Sequence, residues 1–160
     1  WPLIAEMALG RVLSVGPPFF EAAFTPFMIA LAIALPVGGL LAWKRGDLRR
    51  ALSTLLPALV LALAMGALAW TVGTGRPILA VVGASLGSWV IAGAALDLWS
   101  RTNRSGASRL LRLPRADWGK AVAHAGLGVT ILGVSLHMAW QREDIRIAQF
   151  GVPFEVGGYT

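Results

Sequence analysis

The chain has 160 residues, of which 56% are hydrophobic and 14% charged, and it contains no cysteine. Soluble domains carry roughly 25% charged residues, so this composition disfavours a soluble fold. Without cysteine, these residues cannot form disulfides, thiolate zinc sites, iron–sulfur clusters or a CxxCH haem attachment. The net charge of +6 is concentrated between apolar runs, which favours membrane topology over nucleic-acid binding.

The chain order predicts an all-α integral membrane fold. A Gly-Pro-Pro turn and several phenylalanines indicate an outer, interfacial loop over residues 1–23. Four apolar runs follow, each spanning the roughly 30 Å of a bilayer core; they cover residues 24–43, 51–72, 77–99 and 118–140. Alternating residues after Trp140 indicate the start of a β-rich outer segment, 141–160.

The basic residues predict the orientation of these helices. The loop 44–50 carries four Lys/Arg residues and the loop 100–120 carries six, whereas the link between the second and third runs carries only Arg76. An excess of Lys/Arg marks the cytoplasmic side. Both ends of the chain are therefore expected on the outer side. Because the chain starts with Trp1 and stops at "VGGYT", we expect it to be a piece of a longer polypeptide.

His124 is the first candidate for a functional residue. It lies in the fourth apolar run, and an ionisable residue at membrane depth is expensive unless it faces protein, water or a cofactor. Ala121 and Gly128 share its helical face and are small enough to leave room for a flat ligand. The alternative is that His124 bonds to a neighbouring helix while the small residues allow close packing. His137 is thirteen residues further, so the two imidazoles cannot bind one metal from the same helix.

Two further patterns have a structural interpretation. Asp97 and Arg101 have the i, i+4 spacing of an ion pair on a helix. Gly83 and Gly87 form a GxxxG pair, which favours a close contact between membrane helices over a binding site.

Three stretches of the chain resemble a known family. They are "LSVGPPFFEAAFTPFM", "WGKAVAHAGLGVTILGV" and "REDIRI", and with the basic loops between them they are similar to CcmF, the membrane haem lyase subunit of bacterial cytochrome c maturation. The resemblance extends over essentially the whole chain. The pattern W-G-x-x-x-A-H-x-G-x-x-V-T around His124 is its most specific part.

The resemblance implies a function and a cofactor. His124 would be one axial ligand of a haem b, with Ala121 and Gly128 facing the haem and a second histidine upstream of these residues. The whole protein would sit in the bacterial inner membrane and attach haem to apocytochrome c thiols. Its partners would be a haem chaperone, apocytochrome-binding subunits and quinol as electron source. No catalytic residue is assigned within this chain.

Two other functions stay open at this point. One is a non-catalytic scaffold of a haem exporter or transporter, which would need polar side chains along a path through the bilayer. The other is a cytochrome b-like quinone oxidoreductase, which would share His124 but attach no haem.

Overall fold

The structure is a computed structural model that describes residues 17–41, 46–73, 78–102 and 107–140. Its four α-helices are each long and apolar enough to cross a membrane. They are α1 (Pro17–Leu40), α2 (Leu48–Val72), α3 (Ile78–Ser100) and α4 (Arg115–Trp140), with a 3₁₀ helix at Ala107–Arg112 before α4. No strand occurs in the described part of the chain. The all-α membrane fold predicted from the sequence is confirmed.

The largest difference from the predicted boundaries is in α1. The helix begins at Pro17 and ends at Leu40, so the stretch 17–23, predicted as an outer loop, is helical. Proline suits the first turn of a helix, because its fixed φ is helical and its missing N–H is not needed there. The other boundaries lie within three residues of the prediction. The loop assigned to 1–16 and the β-rich segment assigned to 141–160 lie outside the described residues.

The start and end of α2 follow from local chemistry. The Asp47 carboxylate accepts a hydrogen bond from the Arg50 backbone N–H at 3.1 Å, which caps the helix at its amino end. At the other end, the Gly73 N–H donates to the Ala69 carbonyl at 2.9 Å, after which the chain leaves the helix. These two caps fix the length of the helix on either side of its apolar run.

The central helix is α3, which packs against the other three. Small residues dominate these contacts, as is typical of membrane helices, because small side chains let backbones approach closely. The buried residues of α2 are Ala51, Leu55, Ala58, Ala62, Gly66 and Ala69. Those of α3 are Ala80, Ala84, Gly87, Ser88, Val90, Gly93, Ala94 and Asp97.

Pro36 lies inside α1, and α3 packs against this turn of the helix. A proline has no N–H to donate within the helix, which weakens the hydrogen bonding of that turn. The indole Nε1 of Trp89 donates to the Ile33 carbonyl of the same turn at 3.2 Å. The Pro36 ring occupies the notch at Gly93, where a Cβ would collide with it. The carbonyl that loses its N–H donor to Pro36 is that of Ala32, four residues earlier. The Trp89 bond is to the next carbonyl, so it joins α3 to this turn without replacing the lost donor.

Candidate functional site

An open groove of about 540 Å³ lies between α1 and α4. Both helices pack mainly on α3, and this arrangement leaves a gap between them. The lining residues are Leu31, Ala34, Leu35, Gly38, Gly39, Leu41, Arg101, Lys120 and His124. The wall from α1 is therefore entirely apolar. The titratable residues that line the groove are Arg101, just after α3, and Lys120 and His124 of α4.

His124 lies half-buried on α4, nine residues after the helix begins. That spacing places it about 14 Å along the helix axis, within the stretch Arg115–His137 that is long and apolar enough to span a membrane. Its ring lines the groove, and none of the described residues hydrogen-bonds to it. A neutral imidazole has one nitrogen lone pair that can bind a metal. The alternative predicted from the sequence, a histidine bonded to a neighbouring helix, therefore has no partner among the described residues.

The two small residues predicted to face a haem lie elsewhere. Gly128 packs against α3: a Cβ added there would lie 2.7 Å from Ile91 Cγ1 and 2.8 Å from the Gly87 carbonyl oxygen. Ala121 is 7% exposed and does not line the groove. The face that they share packs against α3, so neither residue lines the groove, and the prediction that they face a haem stays a prediction. Space beside His124 comes from α1 instead, where a Cβ at Gly38 would meet nothing within 4 Å.

The GxxxG pair of α3 is confirmed as a helix contact. A Cβ at Gly83 would collide with the Ser135 hydroxyl, and one at Gly87 would lie 2.8 Å from the Gly128 carbonyl oxygen. Both partners belong to α4. The contact fixes the rotation of α4 about its own axis, and with it the direction in which His124 points.

An ion cluster around a buried aspartate lies at one end of the groove. Asp97, whose side chain is only 7% exposed, accepts from Arg101 Nη2 at 3.1 Å and from Lys120 Nζ at 2.5 Å. Arg101 Nη1 bonds to Asp117 at 3.0 Å, and Arg101 Nη2 lies 3.5 Å from the Gly39 carbonyl oxygen of α1. The cluster thus joins the ends of α1, α3 and α4 at the groove.

The sequence predicted only part of this cluster. The Asp97–Arg101 pair is confirmed, but Asp97 is more buried and better connected than an i, i+4 pair alone requires. Lys120 and Asp117 were missed as its partners. No local pattern signals these bonds, because Lys120 and Asp117 belong to α4 whereas Asp97 belongs to α3.

The groove fits part of what a haem needs. The groove has an apolar wall, one half-buried imidazole with no hydrogen-bond partner among the described residues, and two cations that could bind carboxylates. These features suit a porphyrin with one axial ligand. The described residues contain no group of three or more His, Cys, Asp or Glu side chains that could hold a metal ion. His137 is exposed further along α4 and does not line the groove. From the described residues, iron could therefore obtain one ligand, His124.

Known proteins are similar to this chain over its full length. The cytochrome c-type biogenesis protein ccl1 of Rhodobacter capsulatus is 58% identical over 160 residues, which are 100% of this chain and 24% of that protein. The chain is a relative of the CcmF-type cytochrome c-type biogenesis proteins. CycK of Bradyrhizobium diazoefficiens is 39% identical over 99% of the chain, and CcmF of Escherichia coli is 31% identical over 91%.

The CcmF-type relatives are much longer than this chain. The alignments cover 25% of CycK and 22% of the Escherichia coli protein, so the chain spans about a quarter of the curated relatives it matches. None of the models of known protein families matches it. None of the solved structures matches it either.

Proposed function

We propose that this chain forms one side of a membrane haem b site in a cytochrome c maturation protein, with His124 as an axial ligand. The observation that carries the proposal is the position of His124: half-buried at membrane depth, lining a groove, and without a hydrogen-bond partner among the described residues. The names of the relatives support the maturation role, since each is called a cytochrome c-type biogenesis protein.

The residues of this chain would position and shield the bound group. His124 offers one imidazole nitrogen as ligand, and the Gly87–Gly128 contact fixes the rotation of its helix. The apolar wall from Leu31 and Leu35 keeps water from one side of the groove. Such exclusion lowers the local dielectric and so affects the redox potential of a bound metal. A haem b there would supply one-electron transfer.

The second ligand would come from outside the described residues. His137 is too far along α4 to reach the same iron, and the relatives extend well beyond the matched segment. In the whole protein, the chemistry supplied by a haem held at His124 would be electron transfer, with quinol as the electron source, in support of haem attachment to apocytochrome c. The haem chaperone and the apocytochrome-binding subunits would be its partners, and the bacterial inner membrane its location.

The two alternative functions receive less support. A transporter scaffold would need polar groups free to line a path, yet Ser88 and Ser135 donate to carbonyls of their own helices, Ala84 and Ile131. A quinone oxidoreductase would use His124 in the same way as the proposed site. The names of the relatives favour the maturation role over it.

The test is a reduced-minus-oxidised absorption spectrum of the full-length protein purified in detergent. We expect a b-type haem spectrum that is lost or shifted in His124→Ala. His137→Ala is the matched control, because it removes the other histidine of α4 from an exposed position, and it should leave the spectrum unchanged. An unaltered spectrum in His124→Ala would make His124 a packing residue, and no haem in the unmodified protein would favour the scaffold role.

A further inference from the structure

In the ion cluster at the end of the groove, the cations line the groove and the carboxylates lie behind them. Arg101 and Lys120 line the groove, whereas Asp97 and Asp117, to which they bond, are absent from its lining. The side chains of Arg101 and Lys120 are 35% and 31% exposed, against 7% for Asp97. The groove therefore meets the positive side of each ion pair.

The carboxylates hold the two cations in place. Arg101 bonds to Asp97 through both Nε and Nη2, at 3.2 and 3.1 Å, and to Asp117 through Nη1. Lys120 uses one of its three N–H donors on Asp97. A cation whose position is already fixed loses little side-chain entropy when it binds an anion, which favours binding.

The charge around the cluster also favours an anion. The two aspartates and two cations of the cluster balance each other, so the cluster alone has no excess charge. Outside the cluster, the loops 44–50 and 100–120 at this end of the bundle carry eight further Lys/Arg residues and one aspartate, Asp47, and the exposed Arg112 and Arg115 are among these cations. This surplus makes the potential at the mouth of the groove positive.

The spacing of residues along α4 places Lys120 close to His124. Lys120 precedes His124 by four residues, so it lies on the same face about 6 Å along the axis. A ligand bound to the imidazole of His124 could carry an acidic substituent about 6 Å away. That substituent would lie at Lys120 and Arg101. A porphyrin with carboxylate side chains has this chemistry.

We propose that Arg101 and Lys120, held by Asp97, form a carboxylate-binding subsite at the end of the His124 groove. Its ligand is the carboxylate of the same macrocycle that His124 binds, so the inference rests on the proposed function. The subsite would fix which edge of the macrocycle faces this end of the bundle. Charge-assisted hydrogen bonds of this kind are about twice as strong as neutral ones.

A purely structural role for the cluster makes a different prediction. Arg101 also contacts the Gly39 carbonyl of α1, so the four residues could serve only to hold the helix ends together. Removing Lys120 would then weaken binding of every macrocycle equally. A subsite for carboxylates would instead weaken only the binding of those that carry free carboxylates.

The experiment compares haem with haem dimethyl ester, in which both carboxylates are blocked. The full-length protein is purified in detergent, freed of haem and titrated with each macrocycle while its absorption spectrum is recorded. We expect the unmodified protein to bind haem about tenfold more tightly than the ester. Lys120→Gln should lose that preference and Lys120→Arg should keep it. Arg115→Gln, an exposed cation on the same helix outside the groove, is the matched control and should keep it too.

A second variant separates binding from folding. Asp97→Asn combined with Lys120→Gln removes one charge of each sign, so no buried carboxylate is left short of a partner, and it should also lose the preference. An equal preference in Lys120→Gln and in the unmodified protein would overturn the subsite and leave the structural role. A second result would also overturn the subsite: the unmodified protein binds haem and its ester equally, and in nanodiscs anionic phospholipid competes with haem for the site. The two cations would then bind lipid phosphates. Binding of neither macrocycle would contradict the proposed function itself.

Discussion

Two glycines of α4, two residues apart, should respond in opposite ways to the same substitution. A Cβ at Gly128 would lie 2.7 Å from Ile91 Cγ1, 2.8 Å from the Gly87 carbonyl oxygen and 3.1 Å from the Ile91 backbone nitrogen. A Cβ at Gly126 would meet nothing within 4 Å. Gly128→Ala therefore forces α3 and α4 apart, and Gly126→Ala adds a methyl group to open space.

The expected difference can be estimated from the contacts. Both substitutions replace glycine by alanine in a helix interior, which favours folding by at most about 1 kcal/mol. Because this gain is common to both, it cancels in the comparison. What remains is the cost of overpacking at Gly128, typically about 1–3 kcal/mol. Two of the atoms met there belong to the backbone and cannot rotate away, so we expect a value in the upper half of that range.

The assay is unfolding of the full-length protein in mixed micelles, followed by circular dichroism as the denaturing detergent is increased. The free energy of unfolding should be about 2–3 kcal/mol lower in Gly128→Ala than in Gly126→Ala. The haem spectrum should also shift in Gly128→Ala alone, since His124 follows the rotation of α4. Equal stability of the two variants would refute the close contact at Gly128 and with it the orientation given to His124.

Three other predictions concern the ion cluster, the proline turn and the topology. In the same assay, Asp97→Asn should lower the free energy of unfolding by about 2–3 kcal/mol, because Arg101 and Lys120 lose a charged acceptor. An unchanged free energy of unfolding would mean that water fully replaces the Asp97 carboxylate as their partner. Trp89→Phe should cost about 1 kcal/mol by removing the hydrogen bond that joins α3 to the Ile33 carbonyl of α1, whereas an equal loss in Trp99→Phe would assign the effect to packing. In a cysteine-free background, Gly46→Cys should react with a membrane-impermeant thiol reagent only from the cytoplasmic side and Thr74→Cys only from the periplasmic side; the reverse pattern would invert the orientation.

The helices could be predicted from the sequence because their signal is long and strong. Runs of about twenty apolar residues separated by charged loops leave few alternatives in a membrane. The start of α1 was missed because Pro17 is compatible with both a turn and a first helical turn. Only the structure distinguishes the two.

The direction in which each face of α4 points could not be predicted. The spacing of Ala121, His124 and Gly128 put them on one side of the helix, but helical spacing does not say which neighbour that side meets. The structure assigns Gly128 to the contact with α3 and His124 to the edge of that contact, facing the groove. Small residues pack helices more often than they line cofactors, and here Gly128 follows that rule.

The partners of Asp97 are a second example. Its pairing with Arg101 is local and follows from the i, i+4 rule. Its bond to Lys120 joins two helices across a loop, and no sequence pattern specifies such a pairing. The buried position of Asp97 depends on that second bond, because one partner alone would leave part of a buried carboxylate unsatisfied.

The most direct test of His124 as a haem ligand is chemical rescue. In full-length His124→Gly, the missing side chain leaves room for free imidazole to bind in its place. We expect the b-type spectrum to be absent or shifted in this variant and to return as imidazole is added, with no such response in His137→Gly. A spectrum that is unchanged in His124→Gly, or that imidazole affects equally in both variants, would contradict the assignment of His124 as the ligand.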